Sequence, residues 1–101
     1  MKIISELSEM IEDEIDGAEE YIMSAYETRD TYPSVSKLLY TLANEELGHV
    51  ERLHNAVVGE INAYKNEHGD PPESMQILYN YLHKRHIDKT AKVKAMVGSY
   101  K

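Results

Sequence analysis

Three side chains that can bind a metal ion interrupt otherwise apolar helical patterns. Glu14 is the one polar exception in a series that begins at Ile4, and Glu46 and His49 occupy consecutive inward positions of a second series. Burying an ionisable group costs several kcal/mol unless the group is paired or bound to a cation. Carboxylate and imidazole groups without sulfur suit iron, manganese or zinc, so a metal site explains all three exceptions at once.

Three predicted helices, over about 4–29, 34–67 and 71–99, hold these residues. Pro33 after "RDTY" predicts a chain reversal near residues 30 and 31. The inward positions at spacings of three and four are Ile4, Leu7, Ile11, Glu14, Ala18, Tyr21 and Ala25 in the first helix, and Val35, Leu39, Leu42, Glu46, His49, Leu53, Ala56 and Glu60 in the second. Leu38, Val50, Val57 and Ile61 widen the inward face of the second helix.

The sequence "NEHGDPPE" is typical of the end of one helix and the start of the next. We expect Gly69 to end the second helix in a left-handed conformation. We expect Asp70 to cap the third helix together with Glu73, with the two prolines in its first turn. The third helix is predicted to turn inward a series of mostly apolar residues, Met75, Leu78, Tyr79, Leu82, His86, Val93, Met96, Val97 and Tyr100.

Counting from the reversal places the three exceptions at one level of the hairpin. Glu14 lies about 16 residues before the turn and Glu46 about 16 after it, so at roughly 1.5 Å per residue both are about 24 Å from the turn. His49 shares a helix face with Glu46 because the two are three residues apart. Three side-chain ligands are too few for a redox metal centre. Two hairpins related by a twofold axis would offer four Glu and two His.

The order of Glu14, Tyr21 and "YTLANEELGHVERLH" resembles the first half of a ferritin-like protein, especially a rubrerythrin or bacterioferritin half-bundle. In that family a first-helix Glu precedes a core Tyr by seven residues, and a Glu-x-x-His follows on the second helix, as Glu46 and His49 do. The resemblance covers residues 4 to 60. The second Glu and second Glu-x-x-His of a full ferritin-like chain are missing, as in short single-hairpin and encapsulated ferritins, so another copy must supply them.

The resemblance implies an all-α fold in which a long antiparallel hairpin and a C-terminal helix form a single domain, 1–101, that dimerises into a ferritin-like four-helix bundle. It implies a di-iron or di-manganese carboxylate centre with ferroxidase or peroxide-consuming activity. Glu14, Glu46 and His49 would be both the metal ligands and the catalytic residues. Two iron ions per dimer are expected, with manganese or zinc as alternatives, and dioxygen or peroxide as the oxidant. Tyr21 would pack in the core with its hydroxyl near a ligand carboxylate of the partner hairpin.

Other interpretations of the same residues stay open. Glu14, Glu46 and His49 could form a polar layer that fixes the register of a helical bundle without binding metal. Glu45 could reach the metal from the flank of the stripe. A non-enzymatic helical oligomer, acting as a partner-binding or ligand-sequestering accessory protein on a ferritin-like scaffold, is the alternative function.

The remaining histidines offer weaker signals. Glu51 and His54 repeat the Glu-x-x-His spacing but fall off the inward stripe, and we expect His54 and His68 to be surface residues. His83 and His86 lie one turn apart, and such a pair can bind metal. No carboxylate accompanies them inward, so packing is the favoured interpretation.

Composition narrows the class of protein. The 101 residues suffice for one domain, and the absence of Cys excludes disulfides and thiolate metal sites. Eleven Lys plus Arg against 18 Asp plus Glu give a net charge of −7, which would repel nucleic acid. No signal peptide and no apolar run of about 18 residues is evident, so we expect a cytoplasmic homo-oligomer that does not enter membranes.

Overall fold

The computed structural model describes residues 1–101 and consists of three helices, α1 (Lys2–Thr28), α2 (Pro33–His68) and α3 (Glu73–Ser99). The predicted all-α class is confirmed, and each helix boundary agrees with its prediction to within two residues. α1 and α2 form an antiparallel hairpin. α3 runs parallel to α1, since the Met1 amino group lies 3.3 Å from the Tyr79 hydroxyl and the Tyr26 hydroxyl bonds the Met96 carbonyl at the other end.

The reversal between α1 and α2 is tight and lies where the proline predicts it. α1 ends at Thr28, and α2 begins at Pro33, whose missing N–H does not matter in a first helical turn. The Tyr32 N–H donates to the Thr28 carbonyl at 2.7 Å, and the Ser36 N–H donates to the Tyr32 carbonyl at 2.9 Å. The hairpin therefore has a fixed register, which determines which residues of its two helices face each other.

The junction between α2 and α3 differs from the prediction. Gly69 has the expected positive φ of 79°, and its N–H donates to the Lys65 carbonyl at 2.9 Å. The predicted cap by Asp70 is wrong, because α3 begins only at Glu73 and no side chain caps it. Pro72 disfavours helical geometry in the residue before it and is itself extended, with φ −53° and ψ 148°, so the helix starts after both prolines.

The core is built mainly from one face of α1. Its buried apolar side chains are Ile4, Ile11, Ile15, Ala18, Ile22 and Ala25, completed by Ala43 and Val50 of α2 and Val93 and Val97 of α3. The predicted α1 series is confirmed at every second position, Ile4, Ile11, Ala18 and Ala25. Between them the most buried residues are Ser8, Ile15 and Ile22, whereas Leu7, Glu14 and Tyr21 are only partly buried.

The predicted inward stripe of α2 is the part that differs most. Ser36, Ala43 and Val50 are the buried residues of this helix. Val50 was predicted to widen the inward face, whereas Ser36 and Ala43 each lie one position after a predicted residue. Val35, Ala56 and Glu60 are exposed, and Leu39, Leu42 and Leu53 are half-buried. The predicted stripe therefore faces partly away from the core.

The position of α3 explains the difference. α3 contacts α1 through ion pairs to Glu12, Asp16 and Glu19 and borders a groove whose α2 wall includes Gly48 and Glu51. At 3.6 residues per turn, Glu12 and Gly48 each lie about 200° around their helices from Glu14 and Glu46 respectively. α3 thus covers one side of the hairpin and leaves the side of Glu14 and Glu46 open.

A cluster of hydroxyl groups fixes the end of α3 near the hairpin reversal. The Ser36 hydroxyl donates to the Ala25 carbonyl at 2.6 Å and lies 2.5 Å from the Tyr100 hydroxyl, which is therefore left as the donor between them. The Tyr100 ring stacks on Tyr40 with centroids 4.7 Å apart and meets the edge of Tyr26 at 5.6 Å. None of the three helices is both long and apolar enough to cross a membrane.

Candidate metal centre

The hairpin brings Glu14, Glu46 and His49 together at the level that counting from the turn predicts. One ligand atom from each residue lies within 4.8 Å of the other two. The His49 Nδ1 atom is 3.3 Å from Glu14 Oε2 and 3.9 Å from Glu46 Oε1. The three donors therefore come from both helices and converge on one small volume.

These separations are compatible with a shared ion. Nitrogen and oxygen donors lie about 2.0–2.2 Å from a first-row metal such as zinc, so donors on one ion are roughly 3–4 Å apart. The two His49 distances fall in or near this range without rearrangement of the backbone. Two carboxylates and one imidazole form a donor set that suits iron, manganese and zinc.

The three side chains are more accessible than the apolar stripe predicted. Glu14 is 30 % exposed, Glu46 23 % and His49 45 %. In a single chain the predicted inward side of these residues is partly open, because α3 packs on the opposite side of the hairpin. Each ligand thus keeps part of its surface exposed. In a single chain the site is accessible from the side of the hairpin that α3 does not cover.

Gly17 makes room for the Glu46 carboxylate. A Cβ atom built on Gly17 would lie 3.5 Å from Glu46 Oε2, and the carboxylate therefore rests directly over the bare backbone of α1. A glycine in the middle of a helix is unfavourable by roughly 0.5–1 kcal/mol relative to alanine. The 3.5 Å separation is an ordinary van der Waals contact, so the site has room for an alanine but not for a larger side chain.

Apolar side chains lie on α1 and α2 within one to two helical turns of the ligands. Tyr21 and Leu53 are half-buried and pack against the core. Met10, one turn before Glu14, and Leu38, two turns before Glu46, are exposed. Tyr21 takes the predicted packing role, and the one hydrogen bond among the ligands joins His49 to Glu14 without it.

The other candidate residues lie elsewhere. Glu45 is exposed and outside the cluster, and His68 is a surface residue as predicted. The prediction that His54 lies on the surface is wrong, because His54 is half-buried and lines a groove between α2 and α3. The groove exists because α3 packs on a side of α2 that lies outside the predicted apolar stripe.

A row of ion pairs between α1 and α3, called here the ion-pair seam, was not predicted from the sequence. Glu12 accepts hydrogen bonds from Arg85 at 2.5 Å and Lys89 at 2.7 Å, and Lys89 also bonds Asp16 at 2.8 Å. The hydrogen bond from Arg85, together with Lys89, lowers the pKa of the Glu12 carboxyl to about 2. Acidic residues at 12, 16 and 19 and basic residues at 85, 89 and 92 share one spacing, which was the available signal.

Comparisons of the chain with protein-family models, with curated proteins and with solved structures give no match.

Proposed function

We propose that two copies of this chain pair through the open sides of their hairpins and form a ferritin-like four-helix bundle around a dinuclear metal centre. Glu14, Glu46 and His49 of each copy are the proposed ligands. The proposed activity is oxidation of ferrous iron by dioxygen or peroxide. Manganese and zinc are the alternative metals for the same donor set.

One observation carries the proposal. Three metal-binding side chains from two helices lie within 4.8 Å of one another on the side of the hairpin that α3 leaves uncovered. A polar layer that only fixes helix register would need a partner for each group. It would not need two carboxylates and an imidazole whose donor atoms are separated like those on one ion.

The need for a second copy follows from the number of donors. A single chain offers three side-chain ligands, whereas four-helix carboxylate centres use a Glu from each of two helices and a Glu-x-x-His from each of the other two. A twofold axis through the site would double the set to four Glu and two His. It would also cover the exposed Met10 and Leu38 side chains next to the site.

The side chains have distinct tasks in this proposal. Glu46 is the less exposed carboxylate and lies against α1 at Gly17, and in this proposal it would be a ligand shared by the two metal ions. Glu14 and His49 each bind from the edge, and their mutual contact of 3.3 Å orients both in the absence of metal. Two bound ferrous ions would each give up one electron. One molecule of hydrogen peroxide would accept these two electrons and two protons and yield two waters.

The alternative function is a non-enzymatic helical oligomer that uses the same open side to bind a partner or sequester a small ligand. The exposed apolar side chains around the site are compatible with it. The two functions differ in what Glu46 does, because only the metal centre requires its carboxylate.

The decisive test combines native mass spectrometry with metal analysis after anaerobic addition of Fe(II). The proposal predicts a dimer that holds two iron ions and oxidises them when dioxygen or peroxide is added. Glu46→Ala should abolish uptake of both ions. Glu45→Ala is the matched control, since it removes the neighbouring carboxylate outside the cluster, and it should bind iron normally. A wild-type chain that stays monomeric and metal-free at saturating iron would refute the proposal.

A further inference from the structure

A second group of metal-binding side chains lines the groove between α2 and α3. His54 from α2 and His83 and His86 from α3 all border a cavity of about 700 Å³ and a smaller adjoining one of about 240 Å³. Glu51, one turn before His54, borders the larger cavity. We call this place the imidazole groove and define it by the three histidines.

Two of the imidazole rings already touch. The His54 and His83 rings are stacked, with centroids 4.7 Å apart and planes inclined by 19°. His83 is exposed and therefore free to turn about its side-chain torsions. The ring nitrogens do not converge in the stacked arrangement, so His83 has to rotate before a nitrogen of each ring can face a common point.

The third ring is held in place. His86 is only 7 % exposed, and its Nε2 atom is buried without a hydrogen-bond partner. That atom lies 3.5 Å from Glu12 Oε1, and Glu12 is fixed in turn by Arg85 and Lys89. Because Nε2 faces Glu12, Nδ1 is the nitrogen left to bind a cation in the groove. Histidine ligands commonly direct their second ring nitrogen at a carboxylate in this way.

We propose that the imidazole groove is a second metal site, in which His54, His83 and His86 bind one Zn²⁺-class divalent cation with Glu51 as the fourth ligand. Three nitrogens and one oxygen are a common tetrahedral donor set. Imidazole-rich sites favour Zn²⁺, Cu²⁺ and Ni²⁺ over Mn²⁺ and Fe²⁺, so this site is less suited to iron and manganese than the carboxylate site is. The cation would link α2 to α3, two helices that otherwise share few contacts.

The test uses Glu46→Ala as a background, because that change removes the carboxylate site from the titration. Calorimetry with Zn²⁺ should give one ion per chain for this variant. Adding His83→Ala or His54→Ala should weaken binding at least about tenfold. His83 is exposed, so its replacement leaves the fold intact. Adding His68→Ala, the matched surface histidine, should leave binding unchanged.

Two further measurements separate this site from the carboxylate site. Co²⁺ in the Glu46→Ala variant should show the strong visible absorption of a four-coordinate, nitrogen-rich site, and His83→Ala should abolish it. His83→Ala alone should take up iron as the wild type does if the proposed function is right, whatever the zinc result. Unchanged Zn²⁺ affinity in both Glu46→Ala/His83→Ala and Glu46→Ala/His54→Ala, or equal loss in the His68→Ala control, would overturn the imidazole groove as a metal site.

Glu12 gives an independent test of the His86 orientation. Glu12→Gln keeps the size of the side chain but removes the charge that faces Nε2, and we expect it to weaken Zn²⁺ binding about tenfold. Asp16→Asn is the control, because it removes a carboxylate of the same seam that bonds Lys89 but not His86. Equal affinities in the two variants would show that Glu12 does not orient a ligand.

Discussion

At the scale of single residues, Gly17 determines how much room the Glu46 carboxylate has. The space above this glycine accommodates one methyl group, since a Cβ there would be 3.5 Å from Glu46 Oε2. Anything longer must displace the carboxylate. The position of one proposed ligand thus depends on a side chain no larger than a methyl group on the facing helix.

Replacing Gly17 should therefore separate folding from metal binding. Gly17→Ala should raise the free energy of unfolding by roughly 0.5–1 kcal/mol, because alanine favours helix, and should keep metal binding. Gly17→Leu should push Glu46 aside and weaken metal binding about tenfold or more. Urea unfolding and metal titration measure the two effects. Gly59→Leu is the control, since Gly59 is helical and open to solvent, and no loss of metal affinity is expected.

How far the sequence predicts the site is clear from Glu46 and Gly17. The level of Glu46 in the hairpin follows from counting to the turn, and the structure places Glu46 near Glu14 and His49 as counted. The contact of its carboxylate with Gly17 could not be predicted, because it depends on how closely the two helix axes approach. Periodicity gives the direction of a side chain and leaves the distance between helices undetermined.

At the scale of helices, α3 is attached to the hairpin by charge on one side and by aromatic rings at its end. The sequence predicted the extent of α3 and its inward residues Val93 and Val97, which the structure buries. It could not predict which side of the hairpin α3 occupies, since both sides carry half-apolar faces. The ion pairs to Glu12 favour the side away from the carboxylate site.

The ion-pair seam makes stability depend on pH in a defined window. The pKa of Glu12 is about 2 in the folded chain against an ordinary 4.5, so the unfolded state binds its proton first as the pH falls. The stabilisation by Glu12 is complete above about pH 4.5 and is lost as the pH approaches about 2. Thermal unfolding followed by circular dichroism should show this decline.

Glu12→Gln should flatten that part of the pH profile. At neutral pH we expect the variant to lose on the order of 1 kcal/mol of unfolding free energy, because it removes one partly exposed carboxylate from a small network. At about pH 2 the variant and the wild type should be equally stable. A difference that persists at about pH 2 would show that Glu12 acts through packing instead of charge.

Tyr100 should carry a large share of the docking of the α3 end. Tyr100→Phe removes one hydrogen bond to Ser36 and should cost about 0.5–1.5 kcal/mol of unfolding free energy. Tyr100→Ala also removes the stacking on Tyr40 and should cost clearly more. Hydrogen exchange should then speed up first in residues 90–99 of α3. Tyr81→Ala, at an exposed position of the same helix, should leave that exchange unchanged.

At the scale of the whole molecule, the open side of the hairpin should be the surface that pairs. Leu38 is 56 % exposed on that side, and Ile77 is 64 % exposed on α3. Leu38→Glu should abolish the dimer by placing a charge in the proposed interface, and with it iron binding. Ile77→Glu introduces the same charge outside the interface and should leave both unchanged. Sedimentation velocity at several concentrations, with and without metal, measures the result.

The extended shape of the chain has a practical consequence for such measurements. The chain extends 56 × 18 × 17 Å, and its radius of gyration is 16.4 Å, whereas about 13 Å is usual for a compact domain of this length. A rod of this kind has a higher frictional ratio than a sphere of equal mass. On a gel-filtration column even the single chain should elute early, at the volume of a larger globular protein.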